Sequence, residues 1–136
     1  MPLVEVNFPG GMQIDAQVVG RHIPSDQDPK NGGEGRAPEP FQLFLASIAT
    51  CAGVYAKSFC DQRGLAAPRG LDMDIERDGD GVITRLELVL RVDDAFPEKY
   101  ERAVTRAMDL CAVKKQLRTE METVIRVARD SVTAGR

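Results

Sequence analysis

Pro40-Phe41-Gln42-Leu43-Phe44-Leu45-Ala46-Ser47-Ile48-Ala49-Thr50-Cys51-Ala52-Gly53-Val54-Tyr55-Ala56 carries no charged side chain along its whole length. Phe41, Phe44, Ile48, Ala52, Tyr55 and Phe59 recur at three- and four-residue spacing, the repeat of one helical face. Leu43, Leu45, Ala49 and Val54 fill much of the opposite side, so the helix is apolar nearly all round. A proline suits a first helical turn and a glycine suits a stop, so the helix is expected from Pro40 to about Arg63, ended by Gly64. Such a helix is about 35 Å long and belongs in the centre of something. It is long for a domain of this size, and its length and polarity together suggest that a second subunit covers part of it.

Working outward, Val4, Val6 and Phe8 alternate with Glu5 and Asn7, and Pro9-Gly10-Gly11 turns the chain into Met12–Val18, which alternates likewise. This reads as a hairpin with one buried and one wet face. Pro24–Pro40 is rich in Pro, Gly and Asp and reads as a long loop, a kind of segment that usually serves function. Beyond the helix, Leu71, Met73 and Ile75 alternate with acids, and Asp78-Gly79-Asp80-Gly81 turns into Val82–Val92, a second hairpin. A helix is expected from Asp93-Asp94 to about Leu110, then a helical turn from Cys111 and a last strand over Thr123–Ala128. The order ββ-α-ββ-α-α-β makes the fold α+β, with mainly antiparallel sheet, in one domain over residues 1–136.

The chain has 136 residues, a formal net charge of −3 and no tryptophan. That is enough chain to bury roughly two-thirds of its unfolded surface. The acidic balance and scarce aromatics speak against nucleic acid as a partner. Met1-Pro2-Leu3-Val4-Glu5 has no basic start and no apolar run, so no secretory leader is expected. Pro40–Ala56 falls short of a membrane span, so no membrane partner is expected. Three cysteines without a leader point to a reducing compartment, and the expected location is cytoplasmic.

Cys51 and Cys60 lie nine residues apart on one helix, about 13.5 Å of rise and half a turn out of phase, too far for a disulfide. Cys60 therefore reads as structural, on the far face. Either could meet Cys111, but Cys51 sits in what the sequence marks as the most buried part of the helix. A thiol in apolar surroundings is ordinarily inert, because desolvation disfavours the thiolate. Cys111 is followed by Lys114 and Lys115, and a helix start with ammonium groups nearby favours a thiolate.

The residues call for no metal and no organic cofactor. There is no Cys-x-x-Cys, and the single histidine, His22, has no second ligand near it. Asp74, Glu76, Asp78 and Gly79 imitate the start of a calcium loop, but the twelfth position is Arg85. Gly32-Gly33-Glu34-Gly35 lacks the Gly-Lys-Ser/Thr ending of a phosphate loop.

Gly32-Gly33, the run from Pro40 to Cys51, and Leu110-Cys111-Ala112-Val113-Lys114-Lys115-Gln116-Leu117 together resemble the OsmC/Ohr family of thiol-dependent hydroperoxide reductases. The resemblance extends over essentially the whole chain through element order and length. It implies antiparallel sheets wrapped around a long buried central helix in an intertwined homodimer. It further implies Cys51 as the peroxidatic thiol and Cys111 as the resolving one, acting on organic hydroperoxides, with a small thiol or dithiol as reductant. The family's arginine in the first turn is absent from Pro9-Gly10-Gly11, and Phe41 stands where its glutamate follows the helix proline. Ala112 replaces the usual proline after the second cysteine. That leaves Gln42, Arg21 and Arg36 as candidate supporting residues. The alternative expectation is a dimeric binding module that holds a small hydrophobic ligand in the same apolar cleft.

Overall fold

The central helix forms as its end signals dictate. In a computed structural model that describes residues 2–117 together with Glu122, Val124, Arg126 and Arg129, it spans Pro40–Gln62. Glu39 is its N-cap, and a reciprocal capping box joins Glu39 to Gln42, whose Oε1 accepts the Glu39 amide at 2.9 Å. Such a box satisfies amide donors that the first helical turn would otherwise leave open. Gly64 stops the helix at φ 66°, which lets the Leu65 amide reach the Cys60 carbonyl at 2.9 Å.

In chain order the elements are β1 (Val4–Gly10), β2 (Gln13–Val18), β3 (Arg21–Ile23), α1 (Pro40–Gln62), β4 (Gly70–Arg77), β5 (Ile83–Arg91), α2 (Glu101–Met108) and α3 (Ala112–Gln116), with 3-10 turns at Pro29–Asn31 and Glu98–Tyr100. One antiparallel sheet is β1-β2-β3 and the other is β4-β5. The α+β expectation holds for the described residues. The last strand, expected over Thr123–Ala128, lies outside them apart from Val124 and Arg126.

Two expected elements need correction. A third strand, Arg21–Ile23, extends the first hairpin through a turn at Val19-Gly20. The helix expected from Asp93 begins only after Pro97, because the Asp93 carboxylate accepts the Ala95 amide at 3.0 Å and folds the segment into a turn. Ending at Gln62, close to the expected Arg63, α1 as a whole is long and apolar enough by length and composition to cross a membrane, where the charge-free run alone is not. The same composition suits a core helix, and Ile48, Ala52, Ala56, Phe59 and Cys60 are buried.

The core sits where α2 crosses the C-terminal half of α1. Ala52, Ala56, Phe59 and Cys60 pack with Val104 and Met108, over Leu71, Leu88 and Leu90 of the second sheet. Burying Phe59, Val104 and Met108 stabilises by about 1.5–3 kcal/mol each. Register makes the contact possible: Leu71 pairs with Leu90, Met73 with Leu88 and Ile75 with Leu86, so six apolar side chains share the face turned to α1 and α2. Asp78 Oδ1 accepts the amides of Asp80 and Val82, so the acidic run closes a hairpin turn as its spacing suggests.

The first sheet behaves otherwise. Val4 pairs with Val18, Val6 with Ala16 and Ile23 with Ala16, which puts these apolar residues on one face. Arg21, opposite Val18, shares that face. Yet Val4 is 46% and Val6 50% exposed, and among the described residues this sheet has no substantial packing on α1. The expected buried face is therefore uncovered among the described residues.

The loop from Pro24 to Glu39 is ordered by two carboxylates. Asp26 is buried and accepts the amides of Gln27 at 2.7 Å and Arg36 at 3.1 Å. Glu39 accepts from the Asp28 amide and from Asn31 Nδ2 at 2.8 Å, tying the loop to the start of α1. These backbone donors, the Gln27 amide foremost, lower the Asp26 carboxyl from its ordinary value. A lowered carboxyl contributes stability above the unfolded value near 4 and loses it as pH falls through the folded value. Asp26→Asn is expected to melt below the native protein at pH 7, with the gap narrowing towards pH 3. Thermal melts across that range check this; a gap constant with pH would contradict it.

Candidate thiol site

Cys111 ends the link from α2 to α3. Its amide donates to the Met108 carbonyl at 3.3 Å, and its own carbonyl accepts the Lys115 amide at 3.2 Å to open α3. The residue is 1% exposed. It lines a cavity of about 160 Å³ with Ile48 and Ala52 of α1, Leu86 and Leu88 of β5, and Thr105, Met108 and Asp109. The wall is apolar except for Thr105 and Asp109.

Cys51 is not itself among the residues that line the cavity, although its neighbours on α1 are. It lies three residues after Ile48 and directly before Ala52, about 60° and 100° around the helix from them. The structure thus brings the Cys111 segment onto the stretch of α1 that carries Cys51, as α3 also packs on α1. All three cysteines are thiols here, with no disulfide among them.

The burial order differs from the sequence expectation. Cys51 is half-buried, whereas Cys60 is fully buried. The reason is coverage: α2 lies over the second half of α1, and among the described residues nothing covers the first half as closely. Helical periodicity identifies apolar faces, not which length of helix the rest of the chain reaches.

Cys60 fits the structural role expected of it. Burial, reinforced by the neighbouring Asp61 carboxylate, pushes its thiol up, away from the reactive thiolate. Native protein at neutral pH is therefore expected to leave Cys60 unmodified by iodoacetamide until denaturant is added. Peptide mass mapping reads this directly; rapid native alkylation of Cys60 would contradict it.

The supporting candidates do not gather at the cavity. Gln42 is engaged in the capping box at the helix start. The side chain of Arg36 pairs with Glu34, and the residue lines a separate groove with Gly10, Gly11 and Asp26. Arg21 lies on the exposed apolar face of the first sheet. Phe41 packs against Phe44, ring centroids 5.8 Å apart, with the Arg77 guanidinium 4.6 Å from its own centroid. Among the described residues no arginine lines the cavity and no group of three metal-ligating side chains occurs. His22 instead pairs with Asp15 at 3.0 Å. The Lys114 side chain falls outside the described set, and Lys115 is exposed.

Sequence reading missed three polar residues of interest. Glu39 was legible as the first member of a Glu-x-x-Gln cap before an apolar run. Asp109 and Thr105 had no comparable signal, since only the fold turns the end of α2 towards α1.

The family profile for OsmC-like protein matches residues 32–126. A search of curated proteins finds no match. Several solved structures share the fold. A protein of Psychrobacter arcticus 273-4, assigned to the osmotic stress induced and detoxification response proteins, superposes with a TM-score of 0.69 at 16% identity, over 85% of this chain and 88% of that one. The organic hydroperoxide resistance protein OsmC of Legionella pneumophila gives 0.55 at 18% identity, over 85% and 87%. The organic hydroperoxide resistance protein OhrB of Bacillus subtilis gives 0.54 at 20% identity, over 85% and 88%. With the profile spanning most of the sequence and the antiparallel sheets and long helix matching these structures, the chain belongs to the OsmC-like protein family.

Proposed function

We propose that this protein is a thiol-dependent peroxidase that reduces organic hydroperoxides as a cytoplasmic homodimer in a stress response. The observation that carries the reading is Cys111, buried in the wall of an apolar cavity beside the helical turn that bears Cys51. Its family, and the names of the hydroperoxide resistance proteins that share the fold, support the same class of reaction.

In this reading the Cys51 thiolate attacks one peroxide oxygen and the O–O bond breaks. The departing alkoxide takes a proton and leaves as the alcohol, and Cys51 becomes a sulfenic acid. Cys111 then displaces water from it to form a disulfide, which a small thiol or dithiol reduces by exchange. No cofactor enters these steps. Ile48, Ala52, Leu86, Leu88 and Met108 make the cavity favour alkyl groups. Each buried methylene is worth about 0.8 kcal/mol, roughly a fourfold preference over water-filled space.

The dimer rests on what the described residues leave exposed: the apolar face of β1-β2-β3 and, on α1, Phe41, Phe44 and Val54. An exposed apolar surface of this kind marks an interface. Cumene hydroperoxide with dithiothreitol tests the activity. Consumption well above reductant alone, and faster than with hydrogen peroxide, is expected; background consumption of both would overturn the reading.

A second reading draws on the lack of any arginine in the cavity wall among the described residues. There the protein is a binding module whose cavity holds a small hydrophobic ligand. Native mass spectrometry showing a co-purifying ligand, joined with no peroxide turnover, would favour it.

A further inference from the structure

We infer that the groove between α1 and α2 binds a small phosphate monoester with an apolar body, a function separate from the thiol chemistry proposed above. The groove measures about 430 Å³ and, among the described residues, shares no lining residue with the thiol cavity. It runs along two antiparallel helices. The Phe59 and Tyr100 rings meet edge to face at 5.7 Å near one end of the pair, and Met108 joins Ile48 and Ala52 at the other. Its two ends differ in chemistry. Arg63 and Arg106 line one, together with Ser58 and Gln62, whereas Tyr55, Ala107 and Leu110 line the other. Arg63 and Tyr55 stand about 12 Å apart along the axis of α1. A ligand of that length, with a charged head and an apolar body, matches the polarity of these walls.

Arg63 is held ready for an anion. Its guanidinium lies 3.6 Å over the Phe59 ring centroid, with the Tyr100 centroid at 5.6 Å. Its Nη1 donates to the Phe59 carbonyl at 3.1 Å, which uses one N–H of a fork that carries several. Stacking on the ring fixes the guanidinium plane and lowers the rotamer freedom that binding would otherwise cost. Arg106 borders the same space from α2. Two guanidinium groups match the double charge of a phosphate monoester, and arginine meets phosphate through paired N–H···O bonds. The Ser58 hydroxyl and the Gln62 amide add uncharged donors.

The carboxylates of the two helices stand clear of the arginines. On α1, both oxygens of Asp61 accept from Lys57 Nζ at 2.6 Å. On α2, Glu101 lies on the side opposite Ala103, Arg106 and Ala107. The antiparallel arrangement also sets the start of α2 beside the end of α1, so the two helix dipoles offset each other near Arg63.

Titration of the intact protein with phenyl phosphate, followed by amide NMR, tests this. Saturable shifts are expected at Ser58, Gln62, Arg63 and Arg106. Phenyl phosphate is expected to bind about tenfold more tightly than inorganic phosphate or benzyl alcohol, because each of those fills one end of the groove only. Benzoate, with a single charge, is expected to bind more weakly than phenyl phosphate. Arg106→Gln alters an exposed side chain and is expected to weaken phenyl phosphate about ten- to hundredfold, the scale of hydrogen bonds to a charged group. Arg85→Gln makes the same change of charge on β5 and should leave the affinity as it is. Shifts centred elsewhere, phenyl phosphate binding no tighter than inorganic phosphate or benzoate, or native affinity in Arg106→Gln would each overturn the assignment.

Discussion

Cys51→Ser is expected to lower consumption of cumene hydroperoxide, with dithiothreitol as reductant, to the background of dithiothreitol alone, a loss of at least about a thousandfold. Serine keeps the size of the side chain but is a far weaker nucleophile near neutral pH. The half-buried setting of residue 51 tolerates the change, so the fold should survive it. Cys111→Ser should behave differently. It retains the attack on peroxide and accumulates sulfenic acid at Cys51, because only the partner sulfur is lost. Its steady-state rate then depends on how well the external thiol reaches Cys51. Parallel turnover assays with intact-mass readout separate the two variants. Equal activity of Cys51→Ser and native protein would remove Cys51 from the chemistry.

Gly33→Ala is expected to cost about 2–3 kcal/mol, the scale of forced overpacking, or roughly 10 °C in melting temperature for a chain of this size. A methyl group there would fall inside the contact distance of the Gln27 carbonyl oxygen and 2.6 Å from Asp26 Oδ1. Neither can simply step aside. The Gln27 carbonyl accepts the Gly35 amide at 2.9 Å, and the Asp26 carboxylate holds the amides of Gln27 and Arg36. The loop that reaches the start of α1 through Glu39 would have to re-form. Gly79→Ala serves as the control, since nothing lies within 4 Å of the added carbon. Calorimetry on both variants reads the difference; matching melting temperatures would mean the loop contributes little to the fold.

The sequence foretold α1 almost to the residue because its limits are local. Pro40, the apolar repeat and Gly64 act through their own backbone and neighbours. The second hairpin was equally legible from its alternation and its Asp-Gly turn. The third strand was not, since three residues carry little pattern and the turn before it puts Val19 at φ 49°, a conformation a β-branched residue seldom adopts. For the site, the pairing of the Cys51 and Cys111 segments could be anticipated only from resemblance. The relative burial of Cys51 and Cys60 depends on where α2 crosses α1, which no single helix encodes. Asp109 entered the cavity wall for the same reason. Arg21 was a candidate on its charge, and the register adds that it shares a face with Val4 and Val18, a face left open among the described residues.

The central claim is that Cys51 and Cys111 form one redox pair from which Cys60 is excluded. Treating reduced protein with one equivalent of cumene hydroperoxide, blocking remaining thiols and mapping the peptides tests it most directly. A Cys51–Cys111 linkage with Cys60 recovered as an alkylated thiol is the predicted result. A linkage that includes Cys60, or three unlinked cysteines after the peroxide has been consumed, would contradict it.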